Sequence, residues 1–464
     1  MAEPRLAAAL AAALGLAGCS LAPAYRPPAL ATPLPAAFKE TGPWWSVFGD
    51  PILDGLEDQL GRGNQSLAGA LARYDQARAV VAQAQGAALP ELDLNPSAVR
   101  TRQSAHRPLR NGGPDEYDTL TLGGTASYEL DLWGRVRNLV AVAGDQAQAS
   151  AADLENLRLS LQAQLASSYM ALRGADAQIR LLTDTVEAYR RALALTHARH
   201  VGGVASGLDD ARAETQLQSA LSQLQDTMSQ RAVYEHAVAA LVGQPASRFS
   251  LEPAEAPPPP QIPTAAPSAL LERRPDIAGA ERRAAAANAQ IGVARAALFP
   301  SVSLNATGGW QTAGGVDLLT LPNTFWTLGA SALGPVFDNG RRQAGVELAR
   351  AQFAQASADY RQTVIAAFQD VEDQLALCNR LAQAATAIEA AAAAAERTEA
   401  LATTRYRLGA ATYLDVVTAQ TAALQAEQSS LSIRTRRLQA SVALVRALGG
   451  GWSAVRLSTS QAAR

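Results

Sequence analysis

Residues 199–209 read RHVGGVASGLD and residues 405–415 read RYRLGAATYLD, with Arg, Gly, Ala, Leu and Asp in step 206 positions apart. The match extends well beyond this phrase. Residues 67–94 align with 277–304 at an offset of 210, so that Gly69 meets Gly279 and Pro90 meets Pro300. Further on, Gly134-Arg135 meets Gly340-Arg341 at an offset of 206. The chain is a tandem duplication whose second half has a connection about four residues shorter. Any fold for these 464 residues has to be built twice from one plan.

Proline divides that plan. None occurs between Pro114 and Pro245, and none after Pro335. Both windows are rich in Ala, Leu, Gln, Arg and Glu, and without proline nothing in them breaks a helix strongly. Hydrophobic residues make up 48% of the chain but aromatics only 5%, a balance that suits long, closely packed helices better than a bulky core. Leu154, Leu157, Leu161, Leu165, Leu172, Ile179, Leu182, Val186, Tyr189 and Leu193 recur at helical spacing. A continuous helix from about 135 to about 198 would be roughly 95 Å long. The repeated phrase interrupts it. Gly202-Gly203 or Gly409 can turn left-handed and stop the helix. Ser206 and Thr412 stand at N-cap positions, and Asp209 or Asp415 lies in the next first turn. The phrase therefore reads as the tip of a helical hairpin, at about 199–208 and again at about 405–414.

Ahead of each long helix the period changes to two. Over 119–132, Leu120, Leu122, Gly124, Ala126, Tyr128, Leu130 and Leu132 alternate with Thr119, Thr121, Gly123, Thr125, Ser127, Glu129 and Asp131. Residues 301–312 repeat this pattern. Residues 323–333 do so less strictly, because Phe325 falls on the polar side, and 91–104 is weakest and contains Pro96. Such alternation fits a soluble strand with one buried face. It also fits strands of an outer-membrane barrel, one face apolar and one polar over about ten residues. The turn-rich stretches 107–116 and 312–323 would then be external loops. Known membrane barrels start at about eight strands, so four strands require oligomerisation.

The first 18 residues form a short apolar run after one Arg and read as a secretory signal peptide. Leu16-Ala17-Gly18-Cys19 resembles the bacterial lipoprotein signal, in which Cys19 would be lipidated; an ordinary signal peptide with an incidental Cys is the alternative. Residues 19–43 then form a Pro-rich tether. The remaining cysteine, Cys378, lacks an intrachain partner if Cys19 is acylated, and reads as a small apolar residue. A net charge of −2 implies no nucleic-acid partner.

Several stretches together resemble the outer-membrane factor (TolC) family, in its lipoprotein branch serving RND-type efflux systems. They are WWSVFGDPILDGL (44–56), SYELDLWGRVRN (127–138), LERRPDIAGAERRAAAANAQIGVARAALFPSVSL (271–304) and YRLGAATYLDVVTAQ (406–420). The resemblance covers about 40–450. It implies a membrane α+β fold: a trimeric 12-stranded outer-membrane β-barrel continuous with a long periplasmic α-helical barrel. Each chain would contribute four strands and two long helical hairpins. The divisions expected are a first repeat at 44–245, a Pro-rich equatorial linker at 246–270, a second repeat at 271–450 and a C-terminal tail at 451–464.

The partners implied are two further copies of the chain, a periplasmic adaptor (membrane fusion) protein, an inner-membrane RND-type pump and outer-membrane lipid. The protein would be lipid-anchored in the outer membrane, extend into the periplasm and conduct small molecules outward. By motif, Val201, Gly202, Gly203, Val204, Ala205 and Ser206 on the first tip dock the adaptor. On the second tip the matching residues are Leu408, Gly409, Ala410, Ala411, Thr412 and Tyr413. Leu414 matches an apolar constriction of relatives, and Thr418 stands where relatives carry an Asp lining the closed pore. Asp415 either supplies that charge or serves only as a residue of the helix N-terminus.

Other groups carry weaker readings. His197 and His200, spaced i, i+3, could hold a metal or sense pH, but no Cys or carboxylate completes a set in sequence, and no metal is expected. His106 and His236 read as solvated. Glu129 and Asp131 could bias a pore toward cations, or simply belong to a polar barrel interior. No nucleophile–base arrangement, phosphate loop or cofactor motif is present, so an enzyme is the weakest class. A periplasmic adaptor lipoprotein should carry one hairpin inside a small β domain, and a structural spacer lipoprotein should carry no alternating strands. Both rivals fit the duplicated sequence less well than a channel.

Overall fold

The computed structural model describes residues 20–28, 43–104, 106, 114–260, 274–314 and 317–450. The stretch read as a signal peptide, Cys19 with its expected lipidation, most of the stretch read as a tether, residues 261–273 and the tail 451–464 lie outside these residues, as does the stretch 107–113. The duplication is visible in the elements. Helix α1 (Pro51–Gly63) precedes α2 (Gln65–Gly86), strands β1 (Glu91–Arg102) and β2 (Glu116–Leu130), α3 (Arg135–Val201) and α4 (Gly207–Leu241). The second half gives α5 (Pro275–Ala296), β3 (Ser301–Thr312), β4 (Thr324–Leu333), α6 (Arg341–Arg407) and α7 (Tyr413–Ala447). α3 and α6 each have 67 residues, about 100 Å at 1.5 Å per residue. α4 and α7 each have 35 residues.

The chain divides into two compact units. The first comprises residues 1–29, 73–151 and 279–361 and contains one antiparallel sheet in the order β1-β2-β3-β4. Register sorts its faces. Leu94, Gly124, Gly308 and Trp326 share one row, and so do Leu92, Ala126, Ala306 and Leu328. The intervening rows carry Asp93, Thr125, Thr307 and Thr327, or Asn95, Gly123, Gly309 and Phe325. One face is thus apolar and the other polar. The apolar face is bare: Leu92, Leu94, Trp326 and Leu328 are 72–79% exposed. Pro96 does not break β1, where it sits opposite Leu122.

Phe325, the exception in the polar pattern, has a local reason. It lies level with Gly309 and Gly123, and its ring fills the space where a Gly123 side chain would stand, 3.3 Å from an added Cβ. Gly309 cannot hold a side chain, since a Cβ there would fall 2.2 Å from the Leu122 carbonyl oxygen. An aromatic ring over glycines of neighbouring strands pins register.

β2 runs 116–130, starting three residues earlier and stopping two residues earlier than the alternation predicts. It ends because Asp131 turns away to accept hydrogen bonds from the amides of Val136 (3.0 Å) and Arg137 (2.9 Å), capping α3. Glu129 accepts from Arg135 at 2.8 Å. The two carboxylates read as candidate pore charges are therefore both paired with arginines.

The second unit comprises 30–72, 152–278 and 362–464. Its core joins the N-terminal motif to the long helices. Trp44, Phe48, Leu53, Leu56 and Leu60 pack with Leu165, Tyr169, Met170, Val238, Leu438 and Val442. Asp50 caps α1 by accepting from Ile52 and Leu53, and it also accepts from the Tyr169 hydroxyl at 2.6 Å. Arg274, in the RRPD motif, donates to Asp276, Asp370 and the Ala447 carbonyl. Toward the tips, Leu182, Val186 and Tyr189 of α3 pack against Leu217, Ala220 and Leu224 of α4, the pairing expected of a helical hairpin.

Candidate functional site: the twin hairpin tips

Both tips lie in the second unit and close by the same mechanism. In the first, Gly203 takes a φ of 72°, its amide donates to His200 at 2.9 Å, and the Val204 amide donates to Arg199 at 2.8 Å. In the second, Gly409 takes a φ of 77°, its amide donates to Tyr406 at 3.0 Å, and the Ala410 amide donates to Arg405 at 2.8 Å. This paired closure satisfies carbonyls that the end of a helix leaves free, and the left-handed position favours glycine. The next helix is then capped. The Ser206 hydroxyl accepts from the Leu208 amide at 3.1 Å. Thr412 and Asp415 cap reciprocally: the Asp415 amide donates to the Thr412 hydroxyl at 3.3 Å, and the Thr412 amide donates to the Asp415 carboxylate at 2.9 Å. These bonds, with Arg405 nearby, hold the Asp415 carboxyl below its usual range.

The predicted docking residues are not equivalent. Val201, Gly202, Gly203, Val204 and Ser206 are exposed, with Ala205 half-buried. On the second tip Leu408, Gly409, Ala410 and Thr412 are exposed and Ala411 is half-buried. Tyr413, in contrast, is 3% exposed and packs with Ala213, Tyr406 and Val416. It supports the tip from beneath and offers no outer surface. Burial pushes its hydroxyl up to about 12, aided by the nearby Tyr406. Leu414 and Thr418 are exposed, and the Thr418 hydroxyl donates to the Leu414 carbonyl at 2.9 Å.

A link between the two tips was not visible in the sequence pattern. Arg199 donates to the carbonyls of Tyr406 (3.2 Å) and Arg407 (3.3 Å), and its guanidinium lies 4.7 Å from the Tyr406 ring centroid. Tyr406 in turn packs on Tyr413, with ring centroids 5.3 Å apart. Arg199 stands in step with Arg405 in the repeated phrase, the one signal that singled it out. The histidines make no cluster: His197 contacts Asp210 at 3.1 Å, and His200 contacts the Ala205 carbonyl at 3.1 Å. Among the described residues no group of three or more His, Cys, Asp or Glu is placed to hold a metal.

A sheet bare on its apolar face, two copies of a long helical hairpin and capped, exposed tips define a transport protein of the outer-membrane channel class. The chain belongs to the outer membrane efflux protein family, whose model matches residues 56–244 and 266–450. It is similar to the pyoverdine export outer membrane protein OpmQ of Pseudomonas aeruginosa, at 33% identity over 96% of this chain and 97% of that protein. The outer membrane protein OprJ of the same species is also 33% identical, over 96% and 95% of the two chains. Among solved structures, the outer-membrane channel OprN superposes with a TM-score of 0.87 at 29% identity, covering 94% of this chain and 100% of that one. The protein is thus an outer-membrane efflux component. Among the described residues no helix is long and apolar enough to cross a membrane.

Proposed function

We propose that this protein is the outer-membrane channel of a tripartite efflux pump, assembled as a homotrimer. Three sheets close one 12-stranded barrel, and the hairpins of three chains enclose a periplasmic tunnel. The exposed residues of the two tips receive a periplasmic adaptor that joins the channel to an inner-membrane RND-type pump. Cys19 carries the lipid anchor. The observation that supports this reading most is the sheet itself: its bare apolar face suits lipid, and its polar face suits a water-filled interior.

The tips fit docking because both copies keep the same glycine-closed, small-residue geometry beneath exposed Val201, Val204 and Leu408, which lets another helical hairpin approach closely. Cargo is small organic molecules. Relatives are named for pyoverdine export and for toluene efflux, and selectivity resides in the pump. Native mass spectrometry of the detergent-purified protein, with negative-stain imaging, tests the assembly. A trimeric particle well over ~100 Å long is expected, since each long helix alone reaches that length. A monomer, or a particle lacking a barrel-shaped end, overturns the reading.

A further inference from the structure

Followed toward its N-terminus, the segment 20–28 runs along α5 toward the sheet. The Tyr25 hydroxyl donates to Glu281 at 2.8 Å, Asn288 donates to the Pro23 carbonyl at 2.8 Å, and Arg295 donates to the Leu21 carbonyl at 3.1 Å. Each two residues of the segment thus match about two helical turns of α5, and the direction is toward the end of that helix, after which β3 begins at Ser301. The Ser20 hydroxyl then donates to Asn138 at 3.1 Å, in the first turn of α3, the helix that follows β2. These residues and the whole sheet belong to the first unit. The segment therefore leads to the end of the sheet where α5 stops and α3 starts, and Cys19 is the residue that comes next.

The apolar face of the sheet carries a groove at that same end, about 560 Å³ in volume and lined by no charged side chain. Register gives its shape. Ala126, Ala306 and Ala330 are small, whereas Tyr128, Leu304 and Leu328 stand beside them. One row further on, Gly124 and Gly308 lie between Leu94 and Trp326, so the low strip continues up the middle of the sheet. β2 and β3, which form this strip, are each paired on both sides. An added peptide strand would find no backbone partners there, so the groove suits a hydrocarbon chain, which needs none.

We infer that this groove seats an acyl chain carried by Cys19 of the same copy. The inference rests on the barrel and the lipid anchor proposed above, and it says where that anchor lies. The length fits. From the level of Val302 to that of Gly308, β3 covers about 20 Å at 3.3 Å per residue. Tilted by about 45°, this stretch rises ~14 Å, close to half of the ~30 Å hydrocarbon core and so to the depth of one leaflet. The anchor is then packed on the sheet. The contacts of residues 20–25 hold it at one end, and Ala126, Ala306, Gly124 and Gly308 bed it along its length.

Photocrosslinking tests it. Cells making the protein are fed a palmitic acid analogue with a diazirine in its chain, isolated outer membranes are irradiated, and linked peptides are mapped by mass spectrometry. The lipidated peptide that begins at Cys19 should be joined to peptides carrying residues 124–128, 304–308 or 328–330, and the linked chains should still run as monomers in denaturing gels. Ala306→Phe and, separately, Ala126→Phe fill the groove with an apolar ring. Each should lose these links while the mass of the lipidated peptide stays the same. Leu120→Phe, on the same face but outside the groove, should keep them. Links from the Cys19 peptide spread over the whole apolar face, or made to another copy, overturn the seat and leave the anchor standing. Phospholipid adducts in the groove without the Cys19 peptide mean that bilayer lipid occupies it, which also overturns the seat. A Cys19 peptide of unmodified mass overturns the lipid anchor itself, and the seat with it. If one filled variant fails to assemble, the other and the parent still report.

Discussion

The guanidinium of Arg199, at the end of α3, lies 4.7 Å from the ring centroid of Tyr406 in α6 and donates to that residue's carbonyl at 3.2 Å. One side chain thus ties the first tip to the second, across 207 residues of sequence. A cation–π contact plus hydrogen bonds to carbonyls contributes about 1–2 kcal/mol. Arg199→Ala should therefore raise the time that the purified channel spends in its higher-conductance states by about five- to thirtyfold in planar bilayers, from the factor of ten per 1.4 kcal/mol. Arg199→Lys keeps the charge but not the planar fork, and should recover only part of the difference. Unchanged conductance in Arg199→Ala would show that the link does not restrain the tips.

Gly409 is the second expected point of sensitivity. Its φ of 77° is strained for any side chain, and its surface is part of the proposed docking face. Gly409→Val should abolish efflux in a cell-based susceptibility assay while the amount of trimer in the outer membrane stays unchanged. Retained efflux would remove the docking role of this tip.

Asp415 separates two roles that its position leaves mixed. Its carboxylate accepts from both the amide and the hydroxyl of Thr412, which commits it to the start of α7. Because the carboxyl is held below its usual range, its contribution is present at neutral pH and is lost only as the pH falls through that lowered value. Asp415→Ala should speed hydrogen exchange of the first amides of α7. If ion selectivity measured in bilayers also changes in Asp415→Asn, the residue lines the pore as well; if only exchange changes, it is a cap.

The sheet faces give a contrast between neighbours. Leu122 lies on the apolar face between Pro96 and Trp310, and Thr121 lies on the polar face between Ser97 and Gln311. A lysine facing lipid at mid-bilayer costs about 2–4 kcal/mol. Leu122→Lys should sharply reduce heat-resistant assembled protein in outer-membrane fractions, whereas Thr121→Lys should assemble normally. Equal behaviour of the two would contradict the assignment of faces.

Glu57 offers a pH-dependent test in the second unit. It lies on the buried side of α1, 2% exposed, and among the described residues neither carboxylate oxygen has a hydrogen-bond partner. Burial, with Asp54 adding to it, pushes its carboxyl up to about 9 from an ordinary value of 4.5. The folded state therefore keeps a proton that the unfolded chain releases. The stability it contributes is complete below 4.5 and is lost as pH rises toward 9. Glu57→Gln removes this linkage. The stability of the variant relative to the parent should rise by about 1.4 kcal/mol per pH unit between pH 5 and 9, followed as the shift in thermal midpoint. Parallel pH profiles would mean that Glu57 is ionised in the folded protein.

Much of the architecture is legible in the sequence because it is written in neighbouring residues. The 3.6-residue period, two long stretches without proline, Gly409 and the Thr412-to-Asp415 spacing encode a helix, its stop and its restart locally. Alternation over 119–130 encodes a two-faced strand in the same way. Even Pro96, read as a weakness, sits within a full strand, because pairing with β2 outweighs one missing donor.

Other features depend on which residues meet once the chain has folded. Tyr413 belongs to the tip phrase, yet it is buried because Tyr406, Ala213 and Val416 converge on it. Glu129 and Asp131 share the polar phase of a strand, but Arg135 and Arg137 take them up where the helix begins. Phe325 breaks the alternation until Gly123 and Gly309 are brought level with it. The sequence by itself determined the duplication, the elements and their ends, since these follow from nearest-neighbour sterics and the spacing of apolar residues. Only the tertiary structure decided which polar groups already have partners and which exposed apolar ones do not. Burial and pairing are properties of residues that meet after folding, whether six residues apart, as Glu129 and Arg135 are, or 207, as Arg199 and Tyr406 are, and the periodic pattern of a single element does not record them.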